Sequence, residues 1–497
     1  MRRRPCASTW TRQLAPTFSR DAWRRQATAG HHPVGGPMTT QDAAQVAKAA
    51  DAAFDDTVHK LNAYLRIPAI SCLAAHADDV RRLASTIRDD LEALGLHNSR
   101  VLELDGALPC VAAEWMGAGD DAPTVLIYGH LDLQPVVLEN WHSDPHEPVV
   151  RNGRLYARGA ADDMGGWMSH FAAIEAWMQT GALPCNIRLL IEGEEEIGSP
   201  NLERFMDTYP EAFDADVMVL TDCENPSTEV PGLTVSLRGL LEVELRCEAL
   251  EADGHSGLWG NMVPDVSTAL TMLISRLTDD DGRMKVGRVE VPEAWRTAAW
   301  DVPLTNTTIR EGAHLIDGVD PIPHRGTPPA EWMWRQPAVT VLSTTLPRPE
   351  QQKNALRTAA QATLSIRLAP GQTAAEMEAA LREVLLKDAP GGVKVSLKAL
   401  PGSGQSWLYT PEGIAFEAVD RAYEKSWGCK PVQVGVGGSI PFVALFGRRF
   451  SALPLILNGV MDPLTTAHGP NESMDLGLFR KAIAANVYLY DELAKVL

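Results

Sequence analysis

Apolar side chains follow two spacings along this chain, one typical of helices and one typical of buried strands. Helical spacing runs through residues 80–94 and stops at Gly95, a residue suited to end a helix. It returns over residues 166–178 and from Phe479 onward. Short, mainly apolar runs, which predict buried strands, cover residues 124–128, 187–191, 217–220 and 453–457. Strands that alternate with helices predict an α/β fold, with a mostly parallel sheet flanked by helices.

The middle of the chain, residues 233–400, has a different pattern. Its predicted elements are alternating strands at 241–246 and 362–368, a helix at 372–386 and an irregular, proline-rich excursion at 301–335. A chain of 497 residues exceeds what one hydrophobic core usually organises. We therefore predict a catalytic domain made of residues 38–232 and 401–497, with residues 233–400 inserted as an α+β lid and dimerisation domain.

Charge and cysteine usage narrow the class of protein. The formal net charge is −19, whereas binding a nucleic-acid backbone needs a basic face, so we expect no nucleic-acid partner. We expect no membrane partner either, because no apolar run approaches the ~18 residues that span a bilayer. Isolated cysteines without a CxxC pair argue against a disulfide framework and predict a cytoplasmic location. The seven are Cys6, Cys72, Cys110, Cys185, Cys223, Cys247 and Cys429.

The first 37 residues carry seven arginines and a single acidic residue, Asp21. An arginine-rich leader poor in acids is typical of a mitochondrial transit peptide. No clear amphipathic apolar face accompanies these arginines, however. We therefore favour the alternative that residues 1–37 are a disordered or miscalled extension ahead of Met38.

Acidic residues and histidines follow several of the predicted strands directly. Ligand sites in open α/β sheets lie at the carboxyl ends of strands, so this placement is informative. The segments are GHLD at 129–132, RGAADDMGG at 158–166, EGEEEIGS at 192–199, Thr221-Asp222, and the downstream loop HGPNE at 468–472.

Each segment also has a simpler interpretation. His130 could cap its strand, Asp162 and Asp163 could cap a helix, and the acidic run could be a solvated loop. Taken together, carboxylates with two histidines suit zinc, manganese or cobalt. A carboxylate left over from metal binding can act as the general base that activates water.

The motifs GHLDLQP, RGAADDMGG, EGEEEIGS, DGHSG and AHGPNE occur in this order, and the resemblance that they carry spans nearly everything from about residue 50 to the end. They resemble the dinuclear zinc peptidase family that includes carnosinases, aminoacylases and succinyl-diaminopimelate desuccinylase, and the dipeptidase branch fits best. The resemblance implies hydrolysis of dipeptides or small peptides that bear a free C-terminal carboxylate. An N-acyl or N-carbamoyl amino-acid amidohydrolase on the same scaffold is the alternative, and a non-catalytic binding homologue is a remote one.

The resemblance also implies two divalent metal ions, zinc first, with manganese or cobalt as alternatives. Asp162 would bridge both ions, and the remaining implied ligands are His130, Glu196, Asp222 and His468. Glu195 would be the general base that activates a metal-bridging water, and Asp132 would orient His130. The Asp162-Asp163 peptide bond would be cis.

For the inserted domain, the resemblance implies a homodimer in which His255 reaches the partner's active site and stabilises the developing oxyanion. Asn354 and Arg367 would contact the substrate, and the guanidinium of Arg367 suits a free carboxylate. A surface strand arginine is the alternative for Arg367. Gly438 and Ser439 belong to a segment that would close over the substrate.

The chain departs from the family pattern in two places. The chain has Gly435-Val436 where Arg-Glu commonly precedes the Gly-Gly-Ser segment, and Met164 where a lysine usually follows the paired aspartates. None of these positions is an implied metal ligand, so hydrolysis is still expected. The lost arginine and acid predict a shift towards more apolar substrates.

Overall fold

A computed structural model describes residues 42–402, 404–437, 441–450 and 453–497 of the chain. The helices are α1 (Ala43–Ala52), α2 (Phe54–Leu65), α3 (Ala77–Leu94), α4 (Met164–Thr180), α5 (Leu202–Thr208), α6 (Ser256–Trp259), α7 (Val266–Ser275), α8 (Glu293–Ala298), α9 (Asn306–Gly312), α10 (Ala374–Leu385), α11 (Ile414–Trp427), α12 (Pro441–Arg449) and α13 (Leu476–Ala494). The predicted leader and the predicted substrate residues Gly438 and Ser439 lie outside the described residues.

The strands fall into several sheets. They are β1 (His97–Leu102), β2 (Cys110–Trp115), β3 (Thr124–His130), β4 (Val149–Arg151), β5 (Arg154–Tyr156), β6 (Asn186–Glu192), β7 (Val217–Leu220), β8 (Gly232–Leu237), β9 (Gly239–Glu248), β10 (Gly254–His255), β11 (Ala338–Thr344), β12 (Ala355–Leu356), β13 (Ala359–Leu368), β14 (Lys394–Ala399), β15 (Trp407–Leu408), β16 (Val432–Val436), β17 (Leu455–Leu457) and β18 (Ser473–Asp475).

The largest sheet has the order β1-β2-β6-β3-β7-β17. The pairs β3–β6, β3–β7 and β7–β17 are parallel, whereas β1–β2 and β2–β6 are antiparallel. All four predicted apolar runs are strands of this sheet, although the last begins at Leu455, two residues later than predicted. The α/β prediction is confirmed, and the sheet is mixed because two unpredicted strands, β1 and β2, extend one edge.

Both faces of this sheet are covered, which explains why its central strands, β3 and β7, are buried at every position. In β3, Val125 and Ile127 belong to the hydrophobic core on the side of α3, α4 and α13. Leu126 and Tyr128 belong to the core on the other side, with Phe205 of α5. Complete burial of such side chains stabilises the fold by about 1.5–3 kcal/mol each. Helix α3 buries its predicted stripe and ends at Gly95, whose φ is 99°.

A second sheet, β11-β13-β9-β14, lies within residues 233–400 and is antiparallel throughout. Burial alternates along β9, because its inward residues meet α7 and α10 in a separate core while the other face is open. Strand β8 pairs instead with β15 and β16. The excursion at 301–335 contains short helices, α9 and the π-helical turn Glu331–Arg335. The division into two domains stays a prediction.

Among the described residues, no helix combines the length and the apolar character needed to cross a bilayer.

Candidate metal centre

The parallel strands bring three chemical segments to one edge of the sheet. Strand β3 lies between β6 and β7 and ends at His130, whose register partner on β6 is Glu192. The acidic run therefore emerges beside His130, and Asp222 emerges two residues beyond the end of β7. Carboxyl ends of parallel strands form the crevice in which α/β folds bind ligands. The predicted strand-end side chains thus meet at this edge.

Two groups of possible metal-ligand atoms share one carboxylate. The first is His130, Asp162 and Asp222, and the second is Asp162, Glu196 and His468; within each group the ligand atoms lie within 4.8 Å of one another. His130 Nε2 lies 3.1 Å from Asp162 Oδ1, and His468 Nε2 lies 3.0 Å from Asp162 Oδ2. Each oxygen of Asp162 therefore faces a different histidine, as a carboxylate that bridges two ions would.

Asp132 connects His130 to the acidic run. Its two carboxylate oxygens accept hydrogen bonds from the backbone N–H groups of Glu195 and Glu196, at 3.1 and 3.0 Å. His130 Nδ1 lies 3.1 Å from the carbonyl oxygen of Asp132 and 3.5 Å from its carboxylate. A metal-ligating histidine usually donates its other N–H to such an acceptor, which fixes the ring. Asp132 thus fixes the backbone of the acidic run as well as the imidazole.

Asp162 and Asp163 lie in the turn that enters α4. Their peptide bond is cis, which confirms that expectation. Asp163 occupies the N-cap position, but its side chain makes no capping hydrogen bond. Asp163 Oδ2 accepts instead from the Thr221 hydroxyl at 2.7 Å and from the His130 backbone N–H at 3.2 Å. The helix-cap interpretation of these aspartates is therefore wrong, because both side chains face the strand ends.

The electrostatics of the site favour a cation. Burial alone would lower the pKa of His130, but hydrogen bonds to Asp132 and Asp162 raise it well above its usual range. Hydrogen bonds to Asp162 and Glu196 raise the pKa of His468 to about 10. Burial raises the pKa of Asp222 and of Glu195. Carboxylates crowded away from water resist ionisation unless positive charge stabilises them, so this donor set of nitrogen and oxygen atoms fits divalent metal ions.

The predicted lid residues do not join this group. His255 pairs with Ala355 in the β10–β12 ribbon, and the backbone N–H of Ser256 donates to the Asn354 carbonyl at 3.1 Å. His255 and Asn354 are therefore neighbours, and both are exposed. Arg367 lies on β13 opposite Leu240 and is half-buried. Within the described residues, no hydrogen bond or ion pair joins these three side chains to the ligand groups.

Two residues that contact the candidate ligands were not predicted from the sequence, although both lie inside the motifs. Gln134, in GHLDLQP, donates to Glu196 Oε2 at 2.7 Å. Glu472, in AHGPNE, accepts hydrogen bonds from the turn that carries Asp162. Their position inside a motif could have identified both residues as candidates. No feature of the neighbouring sequence indicated that they would contact Glu196 and the Asp162 turn. Met164, one of the departures, is fully buried in the core beneath the turn.

A sheet edge that gathers histidines and carboxylates around a shared aspartate is typical of metal-dependent hydrolases. The chain belongs to Peptidase family M20/M25/M40, whose family model matches residues 126–492. The family predicted from the motifs is thus confirmed.

Relatives of the chain support the dipeptidase branch. The chain is 32% identical over 406 residues to the cysteinylglycine-S-conjugate dipeptidase of Corynebacterium striatum, with 80% of this chain and 87% of that protein covered. It is 28% identical over 474 residues to the Cys-Gly metallodipeptidase dug1 of Schizosaccharomyces pombe, with 89% and 96% covered. The solved structure of the dipeptidase Dug1p from Saccharomyces cerevisiae has the same fold, with a TM-score of 0.71, 21% identity and coverage of 91% and 99%.

Proposed function

We propose that this chain is a metal-dependent dipeptidase that hydrolyses the amide bond of dipeptides or small peptides with a free C-terminal carboxylate. The observation that carries the proposal is the shared carboxylate of Asp162, with one histidine facing each of its oxygens. The relatives named above are dipeptidases, so the N-acyl or N-carbamoyl alternative is not favoured.

The donor set fits two divalent metal ions, zinc first, with manganese or cobalt as alternatives. His130, Asp162 and Asp222 would hold one ion, and Asp162, Glu196 and His468 the other. When bound, such ions would polarise a carbonyl group. They would also lower the pKa of bound water, so that hydroxide is available at neutral pH. Glu196 is kept in place by Gln134, and His130 by Asp132.

Glu195 acts as the general base towards the attacking water and returns the proton to the leaving amine. Its backbone is held by Asp132, and in the described part of the chain no hydrogen bond engages its carboxyl group. Burial raises the pKa of this carboxyl group, which suits a residue that must both accept and release a proton. Asp132 positions Glu195 and does not itself touch the substrate.

Substrate recognition falls to the inserted segment and to Gly438 and Ser439. Arg367 reads the C-terminal carboxylate, and Asn354 adds a polar contact. Burial, together with the neighbouring Arg367, lowers the pKa of Arg238 to about 10, so an anion between these arginines would relieve their repulsion. The proximity of Arg238 to Arg367 therefore supports a role for Arg367 in binding a carboxylate.

The departure at Gly435 supports a more apolar substrate range. A Cβ atom on Gly435 would lie 2.6 Å from the Cβ of Trp334. Trp334 therefore covers this position, where the family commonly has an arginine. Trp334 is itself buried in a hydrophobic cluster with Trp295 and Val434, so the position at which the arginine is lost is enclosed by apolar groups, in keeping with a more apolar substrate.

We further propose a homodimer in which His255 completes the partner's site, and a cytoplasmic location. His255 is exposed and makes no contact with the ligand groups among the described residues, which suits a role across an interface. The six described cysteines are free, as expected in a reducing compartment.

The test is a comparison of metal-free and reconstituted enzyme on a substrate panel. Chelation should abolish hydrolysis, and zinc, manganese or cobalt should restore it. The panel contains Cys-Gly, other dipeptides, and N-acetyl and N-carbamoyl amino acids, and chromatography follows the released products. Full activity without metal would contradict the proposal, and cleavage of the N-acyl compounds alone would favour the amidohydrolase alternative.

A further inference from the structure

Glu472 is a buried carboxyl group whose hydrogen bonds converge on the turn that presents Asp162. Its Oε1 accepts from the backbone N–H groups of Ala161 and Asp162, at 3.1 and 3.2 Å. Its Oε2 accepts from the backbone N–H of Gly159 at 3.2 Å and from Arg158 Nη1 at 2.5 Å. Glu472 is 0% exposed. One side chain therefore engages the backbone of this turn at three residues.

Arg158 extends the same connection to the loop that carries His468. While Nη1 donates to Glu472, Nη2 donates to the carbonyl oxygen of Gly469 at 3.1 Å. Gly469 directly follows His468, and the Arg158 side chain is 2% exposed. The two segments are more than 300 residues apart in sequence and meet through the pairing of β5 with β18. The planar guanidinium group thus bridges the Asp162 turn and the His468 loop.

We propose that Glu472 and Arg158 are positioning residues that set Asp162 and His468 at the separation needed to share one metal ion. The proposal rests on the proposed metal centre, because Asp162 and His468 both belong to the second ligand group. Neither Glu472 nor Arg158 is placed to touch the substrate. Their effect is transmitted through the backbone N–H of Asp162 and the carbonyl group beside His468. Partners of this kind typically change metal affinity or activity by about 10–100-fold when they are removed.

A second buried carboxylate in the chain provides the control. Glu492, on α13, is 5% exposed and accepts hydrogen bonds from Arg421, Lys425 and Lys495. These contacts join helices of the core and involve neither ligand loop. Loss of Glu492 should therefore lower stability without changing the metal centre.

The experiment compares Glu472→Gln with Glu492→Gln in the full chain. Each protein is stripped with chelator and titrated with Mn²⁺ and with Zn²⁺ in a calorimeter, and the melting temperature of the metal-free form is measured. We expect both variants to unfold cooperatively at a lower temperature than the wild type. Glu472→Gln should weaken at least one of the two binding events by about 10–100-fold, because Asp162 belongs to both ligand groups, and Glu492→Gln should bind both ions with wild-type affinity.

Steady-state kinetics at saturating metal separates positioning from substrate binding. Glu472→Gln should lower kcat and leave KM for a dipeptide within about two-fold, because the substrate contacts lie elsewhere. Arg158→Lys, which keeps the charge and loses the planar fork, should change metal affinity in the same direction by a smaller factor. If Glu472→Gln does not fold, the metal affinity of Arg158→Lys tests the proposal instead.

The outcomes are distinguishable. Wild-type metal affinity in folded Glu472→Gln or Arg158→Lys would overturn the proposal, as would an equal loss of affinity in Glu492→Gln. If neither Glu472→Gln nor Arg158→Lys folds, the two residues are required for folding, and the proposed positioning role is overturned. Binding of fewer than two ions by the wild type would instead contradict the proposed metal centre, and the positioning role would fall with it.

Discussion

The candidate metal ligands differ in burial and in contacts from His255 and Asn354, the side chains predicted to reach the substrate from residues 233–400. His130 and Asp162 are buried and contact each other, and neighbouring side chains fix the backbone on either side. His255 and Asn354 are exposed on a ribbon of two residue pairs, with no contact to the ligand group in the described part of the chain. One chain therefore brings the candidate ligand side chains together, whereas His255 and Asn354 would need a movement or a second chain to reach them.

Glu195→Gln and Glu196→Gln should give the largest effects and should differ in kind. Glu195→Gln should retain metal and fold but lose about 10²–10⁴-fold in kcat, since no group would accept the proton of the attacking water. Glu196→Gln should weaken metal binding instead, because Glu196 is a proposed ligand. Metal content and kcat are measured on both proteins. Exchanged phenotypes would show that the assignment within the acidic run is shifted by one residue.

Mixed dimers test whether His255 acts across an interface. Inactive Glu195→Ala and His255→Ala proteins are unfolded and reassembled together in equal amounts. Half of the randomly paired dimers are mixed, and each mixed dimer has one intact site, so roughly a quarter of the wild-type activity should return. Each protein reassembled alone is the control. Continued inactivity of demonstrably mixed dimers would place His255 in its own chain's site or outside catalysis.

Arg367→Ala should discriminate between two forms of one substrate. Hydrolysis of a free dipeptide should fall by about 10–100-fold in kcat/KM, the effect of losing a hydrogen bond to a charged group. Hydrolysis of the matching C-terminal amide should change far less. Arg246→Ala, on the adjacent strand β9, is the control, because Arg246 already pairs with Glu248 and Gln361. Equal losses for the two substrates would give Arg367 another role.

Two glycine substitutions should show that packing is tight beside the candidate metal centre, at Gly166, and loose at Gly312 within residues 233–400. A Cβ atom on Gly166 would lie 2.0 Å from Asp163 Oδ1 and 2.5 Å from the Thr221 carbonyl. Gly166→Ala should therefore destabilise the protein by about 1–3 kcal/mol in chemical denaturation. Outside the backbone of its own helix, no described atom lies within 4 Å of a Cβ atom on Gly312 in α9, so Gly312→Ala should stabilise the protein by about 0.4–1 kcal/mol. Similar changes in the free energy of unfolding for both variants would contradict a difference in packing between the two regions.

Much of the fold could be predicted because its signals are local. The runs that became β3, β6, β7 and β17 are apolar on both faces apart from Thr124 and Arg188, and such strands require cover on both sides. The first two strands, β1 and β2, were not predicted. They pair antiparallel at the sheet edge and their burial is less regular, so no sustained period distinguishes them from loops.

The sequence by itself determined which residues could serve as ligands and which strand ends would carry them, because residue type and hydrophobic spacing are properties of short segments. Tertiary structure alone decided which oxygen of Asp162 faces which histidine, that Asp163 turns to Thr221, and that Glu472 engages a turn more than 300 residues away. These contacts depend on strand order and on the pairing of β5 with β18. No local pattern encodes such long-range pairing, since it arises only when distant segments share one sheet edge.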